Sequence, residues 1–196
     1  MTWMLTATAG VVDLRFIRDE PVDILDIAHH LSQIVRFNGA ACRPYSVAEH
    51  SLLVSSILER SGMNREVQLA GLLHDAHEAY IGDVTQPLKE ALCIDRHAVF
   101  RNVDLAATKH VRRRLGVLDL FRANAVTVKS ADLWALSTER THLMPPGGMP
   151  WPVCEQYPPF DWYDFEAHAE MTWKDWRDAF LQRFDELRNP AATTAK

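Results

Sequence analysis

An all-α fold is the prediction of this sequence. Apolar residues recur at three- and four-residue intervals over most of its length, capping residues stand where those stripes begin, and no strand alternation appears beyond the first twenty residues. The 196 residues, 47% of them hydrophobic, suit one domain with a sizeable core, so a single unit over 1–196 is expected.

Met1 to Asp19 carries Leu5, Val11, Val12, Leu14, Phe16 and Ile17 without a helical period and reads as an extended or irregular lead-in. Asp23 then caps a stripe of Ile24, Ile27, Ala28, Leu31, Ile34 and Val35, which predicts a helix to about Phe37, before Asn38-Gly39. In it, His29 and His30 read as one packed and one exposed imidazole. Ser46-Val47-Ala48-Glu49 is a capping box that starts a helix through Arg60, closed at Ser61-Gly62, and it puts His50 in the first turn. Asn64 caps the next helix, expected to run unbroken to about Ile81 and to stop at Gly82.

Pro87 marks a loop leading into a short helix up to Leu92. Asp95 to Leu115 predicts a long helix with Val99, Val103, Ala106, Ala107, His110 and Val111 inward, stopped at Gly116. The run Arg112-Arg113-Arg114 reads as a solvated helix end that complements the helix dipole. Asp119 to about Leu143 is another helix, and Asp132 falls within its apolar stripe, where an acid wants a partner. Met144 to Tyr163 is rich in proline and aromatic residues; it predicts no helix but an ordered loop, serving the rim of a pocket or a subunit contact in a homo-oligomer. Thr172 with Asp175 caps a last helix over 172–188, with Trp173, Trp176, Phe180, Phe184 and Leu187 inward, and Asn189 to Lys196 should fray.

A formal net charge of −5 argues against a nucleic-acid polymer as partner, since phosphate neutralisation wants clustered Lys and Arg. Cys42, Cys93 and Cys154 are odd in number and widely spaced, which fits a reducing compartment better than a disulfide framework. Neither a leader segment nor a membrane span is evident, and a cytoplasmic location is expected.

The chemistry concentrates around Leu72-Leu73-His74-Asp75-Ala76-His77-Glu78, where ionisable groups interrupt an apolar helical pattern. Buried without partners, such groups cost several kcal/mol. His50, His74, Asp75 and Asp132 come from three different predicted helices and share the same apolar flanking. Two imidazoles and two carboxylates neutralise a divalent cation and leave coordination positions open, a catalytic rather than a structural stoichiometry. Glu78 lies one turn beyond His74, on the same side.

These residues resemble the HD-domain metal-dependent phosphohydrolases, and within them the bacterial and phage 5′-deoxynucleotidases and related nucleotide hydrolases. The likeness spans roughly Asp23 to Leu143. Its carriers are Asp26-Ile27-Ala28-His29, Arg36-Phe37-Asn38-Gly39, Tyr45 to Ser51 with His50, Leu72 to Asp75, Glu78 to Asp83, Pro87-Leu88-Lys89, Lys129 to Asp132 and Thr138-Glu139-Arg140. The resemblance implies a helical HD bundle, with His50, His74, Asp75 and Asp132 as ligands of one divalent transition metal (Co, Mn, Zn or Fe), and Mg entering with substrate. It also implies Glu78 and Asp83 as acids beside the attacking water, and Arg36 with Phe37 as the substrate-facing pair. Lys89 and Lys129 are further candidate cations for the substrate phosphate.

The chain departs from that pattern at Ala40-Ala41, where a His-Thr pair is expected, and at His77, where relatives often have a small residue. His77 is expected to point outward. His97 and His110, 13 residues apart, suit no single-helix clamp for a second metal.

The expected function is hydrolysis of a 2′-deoxyribonucleoside 5′-monophosphate. A phage-type deoxynucleoside triphosphate hydrolase of the dATP-cleaving kind and a non-catalytic, metal-stabilised helical binding protein are the alternatives.

Overall fold

The first apolar residues pair with one another instead of coiling. In the computed structural model, which describes residues 2–17, 20–93 and 99–189, β1 (Trp3–Leu5) and β2 (Val11–Asp13) form an antiparallel ribbon with Met4 opposite Val12. The connecting turn is tied to the helical body by Asp26, whose carboxylate accepts from the Thr8 backbone N–H at 2.7 Å and from the Thr8 hydroxyl at 2.9 Å.

Asp23 caps α1 (Ile24–Gln33) by accepting from the Leu25 N–H, as its side chain suits it to do. The helix ends four residues before the predicted Phe37. Ile34 and Val35 are extended because they pair across to the segment that leads into α2: the Val47 N–H donates to the Ile34 carbonyl and the Arg36 N–H to that of Tyr45. A 3-10 turn over Arg36–Gly39 follows, with Phe37 and Asn38 in the left-handed region (φ 57° and 52°). A non-glycine residue there costs free energy that the surrounding contacts must offset, and such positions cluster at functional sites.

Ser46 caps α2 (Val47–Arg60) by accepting from the Glu49 N–H. Only half of the predicted capping box forms, because the Glu49 carboxylate turns to Arg43 in a two-point ion pair at 2.7 and 2.9 Å. Asn64 caps α3 (Arg65–Leu72), which packs antiparallel on α2 so closely that a Cβ on Gly71 would meet Leu58 at 2.4 Å. The predicted continuous helix to Ile81 is broken: residues 73–77 form tight turns before α4 (Glu78–Ile81), with the Ala76 N–H donating three residues back to Leu73.

α5 (Gln86–Cys93) has Pro87 in its first turn, where the missing N–H has no helical partner to lose. α6 (Val99–Arg114) ends before Gly116, at φ 72°. Its inward residues Ala107, His110 and Val111 are buried, whereas Val99 is exposed; the predicted start at Asp95, like His97, lies outside the described residues. α7 (Leu118–Leu143) carries Asp132 on its inner side, with a local kink at Asn124.

The segment predicted to be non-helical contains one short helix, α8 (Pro152–Gln156), made possible by Pro152 in its first turn. The rest of it is irregular, and Phe160, Trp162 and Tyr163 pack on the core. A complete capping box between Thr172 and Asp175 opens α9 (Trp173–Arg188), whose Trp176, Phe180 and Leu187 are buried against α1, α2 and α3. His29 and His30 are both half-buried, the first against the Trp173 ring and the second bonded to the Ala79 carbonyl at 2.8 Å. Among the described residues no helix is long and apolar enough to cross a membrane.

Candidate metal centre

Three structural pieces bring the site together. The cap at Ser46 fixes the first turn of α2 and with it His50, which is fully buried. The turns that end α3 rotate His74 and the adjacent Asp75 towards His50. In the described structure α7 adds Asp132 from the opposite side.

The candidate ligand atoms converge. His50 Nε2 and His74 Nε2 are 3.1 Å apart. Asp75 Oδ2 lies 3.0 Å from His74 Nε2 and 3.7 Å from His50 Nε2, and Asp132 Oδ1 lies 3.3 Å from His50 Nε2 and 3.8 Å from His74 Nε2. Nitrogen and oxygen ligands sit about 2.0–2.2 Å from a transition metal, so neighbouring donors around one ion fall about 3 Å apart and opposite ones about 4 Å. The separations among His50, His74 and Asp75 fit that spacing; Asp132 fits it towards the two imidazoles but lies outside that group of three.

The tautomers decide what these atoms offer. His50 Nδ1 contacts the Glu139 carboxylate and His74 Nδ1 contacts the Gly71 carbonyl at 2.7 Å; both partners only accept, so both Nδ1 atoms carry the proton. In the neutral rings each Nε2 is then a bare electron pair, and the two pairs face each other beside two carboxylates. That arrangement is repulsive unless a positive charge lies within it. With no cation there, protons on the rings supply that charge: burial alone would lower His74, but Asp75 and Asp132 raise it to about 10, and burial and Arg36 are likewise overcome at His50 by Glu139 and Asp132. Against their own burial, Asp75 and Asp132 are held below the ordinary carboxylate range by the two histidines.

Behind His50 stands Glu139, to which the sequence alone assigns no role. It is fully buried and receives His50 Nδ1, Tyr45 OH at 2.9 Å and Arg36 Nη2 at 3.2 Å. It lies seven residues from Asp132 on α7, a spacing that puts both on one helix face and could have flagged it. A carboxylate behind a ligating histidine fixes the ring and raises its basicity. Glu139→Gln is expected to weaken metal binding by about 10- to 100-fold, measured by competition with a chelator; unchanged affinity would show that His50 needs no charged partner.

The remaining predicted residues line a cleft. Its main lobe, ≈460 Å³, holds Arg36, Phe37, Glu78, Asp83 and Lys89 beside Asp75 and Asp132. Glu78 is buried, one oxygen of its carboxylate has no hydrogen-bond partner, and burial together with Asp75 and Asp83 raises it well above the ordinary range. Burial likewise raises Asp83. Arg36 is nearly buried, bonded to Glu139, 3.9 Å from Asp75 and 5.2 Å from the Phe37 ring. Lys129 is exposed and ion-paired with Asp132 Oδ2 at 2.6 Å.

A second lobe of ≈290 Å³ adjoins the first and shares Asp75, Asp132, Lys89 and Lys129 with it. Two expectations are corrected there. His77 does not face solvent but is buried, donating to Asp104 of α6 at 3.1 Å. Arg112 is not a solvated helix end: it stacks on Phe121 at 3.8 Å and donates to the His74 carbonyl at 3.1 Å, so it braces the turn that carries the histidine. His110 is buried on α6, with Nε2 2.8 Å from the Glu20 carbonyl.

Residues 47–129 match the HD domain, a span that begins with α2 and includes His50, His74 and Asp75. Over 175 residues, 87% of each chain, the sequence is 33% identical to the uncharacterized protein YfdR of Escherichia coli K12. It is also 38% identical over 114 residues to the uncharacterized protein RCAP_rcc00048 of Rhodobacter capsulatus, covering 56% of this chain and 57% of that one. The chain belongs to the HD-domain family. HD domains bind divalent metals, and His50, His74 and Asp75 form a cluster that could hold one.

Proposed function

We propose that this protein is a metal-dependent nucleotide phosphohydrolase, with His50, His74, Asp75 and Asp132 as the metal ligands and a 2′-deoxyribonucleoside 5′-monophosphate as substrate. The observation that carries this is the pair of imidazole Nε2 atoms, 3.1 Å apart and flanked by two carboxylates, at the junction of a cleft large enough for a nucleotide. A divalent cation bound there supplies Lewis acidity, bringing the pKa of a water towards neutrality and polarising a phosphoryl oxygen.

The chain's own groups do the rest. Glu78, buried and with an unpartnered oxygen, exchanges the proton that the attacking water loses and the leaving oxygen gains. Asp83, half-buried on the same cleft, orients that water. Arg36 keeps its charge against burial, because Glu139, Asp83 and Asp75 surround it, and holds the phosphoryl group with Lys89 and Lys129. Phe37, locked in a left-handed turn beside Arg36, packs on the sugar.

The monophosphate is favoured because Arg36 and Lys129 already sit on carboxylates, which leaves little positive charge for a triphosphate of about four charges. The triphosphate hydrolase has one observation on its side: the second lobe adds Arg112 to Lys89 and Lys129. Incubating the metal-loaded protein with dAMP and dATP separately decides it. Orthophosphate from dAMP is the expected result. Inert dAMP with tripolyphosphate or stepwise phosphate from dATP would overturn the monophosphate reading.

A further inference from the structure

The lining of the main lobe is mixed. Beside the charged residues around Asp75 and Asp132 it includes the apolar side chains of Phe37, Leu136, Trp151 and Val153. The lobe holds more space than a phosphoryl group fills, and apolar lining beside a charged centre suits an apolar part of the same ligand.

We propose that the strap between α7 and α9 carries the base-binding subsite, with the planar heteroaromatic ring of the nucleotide stacked on the indole of Trp151. The inference rests on the nucleotide reading above and adds a residue to it. Phe37 and Trp151 already touch, with ring centroids 6.2 Å apart and planes tilted by 50°. A ring sandwiched between them would need carbon contacts of about 3.5–4.0 Å on each face, or about 7–8 Å in all. The base therefore lies on one face of Trp151, and Phe37 is left for the sugar.

The platform is built before any ligand arrives. Trp151 has the extended backbone that a residue preceding proline prefers (φ −94°, ψ 119°), and Pro152 starts α8. The Arg140 guanidinium sits 5.4 Å from the indole and is itself fixed by the carbonyls of Pro145 (3.1 Å) and Gly147 (2.7 Å). Beyond α8, Tyr157 and Phe160 pack on Trp134 of α7 at 5.3 and 5.8 Å. A half-buried indole held at both ends loses little side-chain freedom when a ring stacks on it.

The test compares dAMP with 2-deoxyribose 5-phosphate, the same ester without a base, in the wild-type, Trp151→Ala and Trp151→Phe proteins. In Trp151→Ala the ratio of kcat/KM for dAMP to that for the baseless ester should fall by about 5- to 150-fold, the worth of one base–aromatic stack, through a higher KM for dAMP. Trp151→Phe should recover most of the ratio, which loss of folding would not allow. A wild-type preference for dAMP that survives in Trp151→Ala overturns this inference alone. A wild-type protein that treats the two esters alike has no base subsite, and one inert to every nucleotide removes the nucleotide reading and this inference together.

Discussion

Asp132→Ala is expected to yield a folded protein that retains neither metal nor activity. The side chain is partly accessible in the cleft, so its removal leaves the core of α7, Val128, Ala131 and Ala135, untouched. What it removes is the oxygen 3.3 Å from His50 Nε2 and 3.8 Å from His74 Nε2, and with it one of the two negative charges that favour a cation. Lys129 then loses its partner and is left, positive, at the rim of the site, which opposes a cation further. Elemental analysis beside a turnover assay and far-UV circular dichroism checks this. Full metal occupancy with unchanged turnover would show that Asp132 is no ligand.

Glu78→Gln should separate chemistry from metal binding. The carboxylate lines the same lobe as Asp75 and Asp132, but its Oε2 has no hydrogen-bond partner. Its unpartnered oxygen and its raised pKa, caused by burial and by Asp75 and Asp83, suit a group that accepts and returns a proton. The amide matches its shape and cannot do so. Metal content should stay at the wild-type level while kcat falls by about 10²- to 10⁴-fold; loss of metal together with activity would make Glu78 a ligand instead.

The helices were legible in the sequence because each depends on a local pattern: an apolar stripe and a cap. Asp23, Ser46, Asn64 and Thr172 all cap where expected, and the convergence of His50, His74, Asp75 and Asp132 follows from costly groups on apolar faces. What escaped depends on distant partners. Ile34 and Val35 leave α1 because Tyr45 to Val47 offer hydrogen bonds, and Glu49 abandons the capping box because Arg43 offers a charge. The break after Leu72 has no glycine or proline to announce it, since Gly71 lies inside α3 and serves the close approach of α2.

Two polar residues depart from their sequence pattern because of such partners. The angular position of His77 on an unbroken helix predicts an outward ring, and the turns at 73–77 carry it against Asp104. Arg112 reads as the start of a solvated cationic run until Phe121 and the His74 carbonyl are placed beside it. Glu139 was visible as part of a motif, but its function as the hub of His50, Tyr45 and Arg36 needs residues 89 to 103 positions away.

The central claim is that a single divalent ion is held where the two imidazoles meet. Crystals grown with Mn²⁺ and measured for anomalous scattering test it most directly. One peak within bonding distance of Nε2 of both His50 and His74 and of oxygens of Asp75 and Asp132 is the predicted result. No peak at that position, or ligation through Nδ1 with the Glu139 and Gly71 contacts broken, would contradict the account.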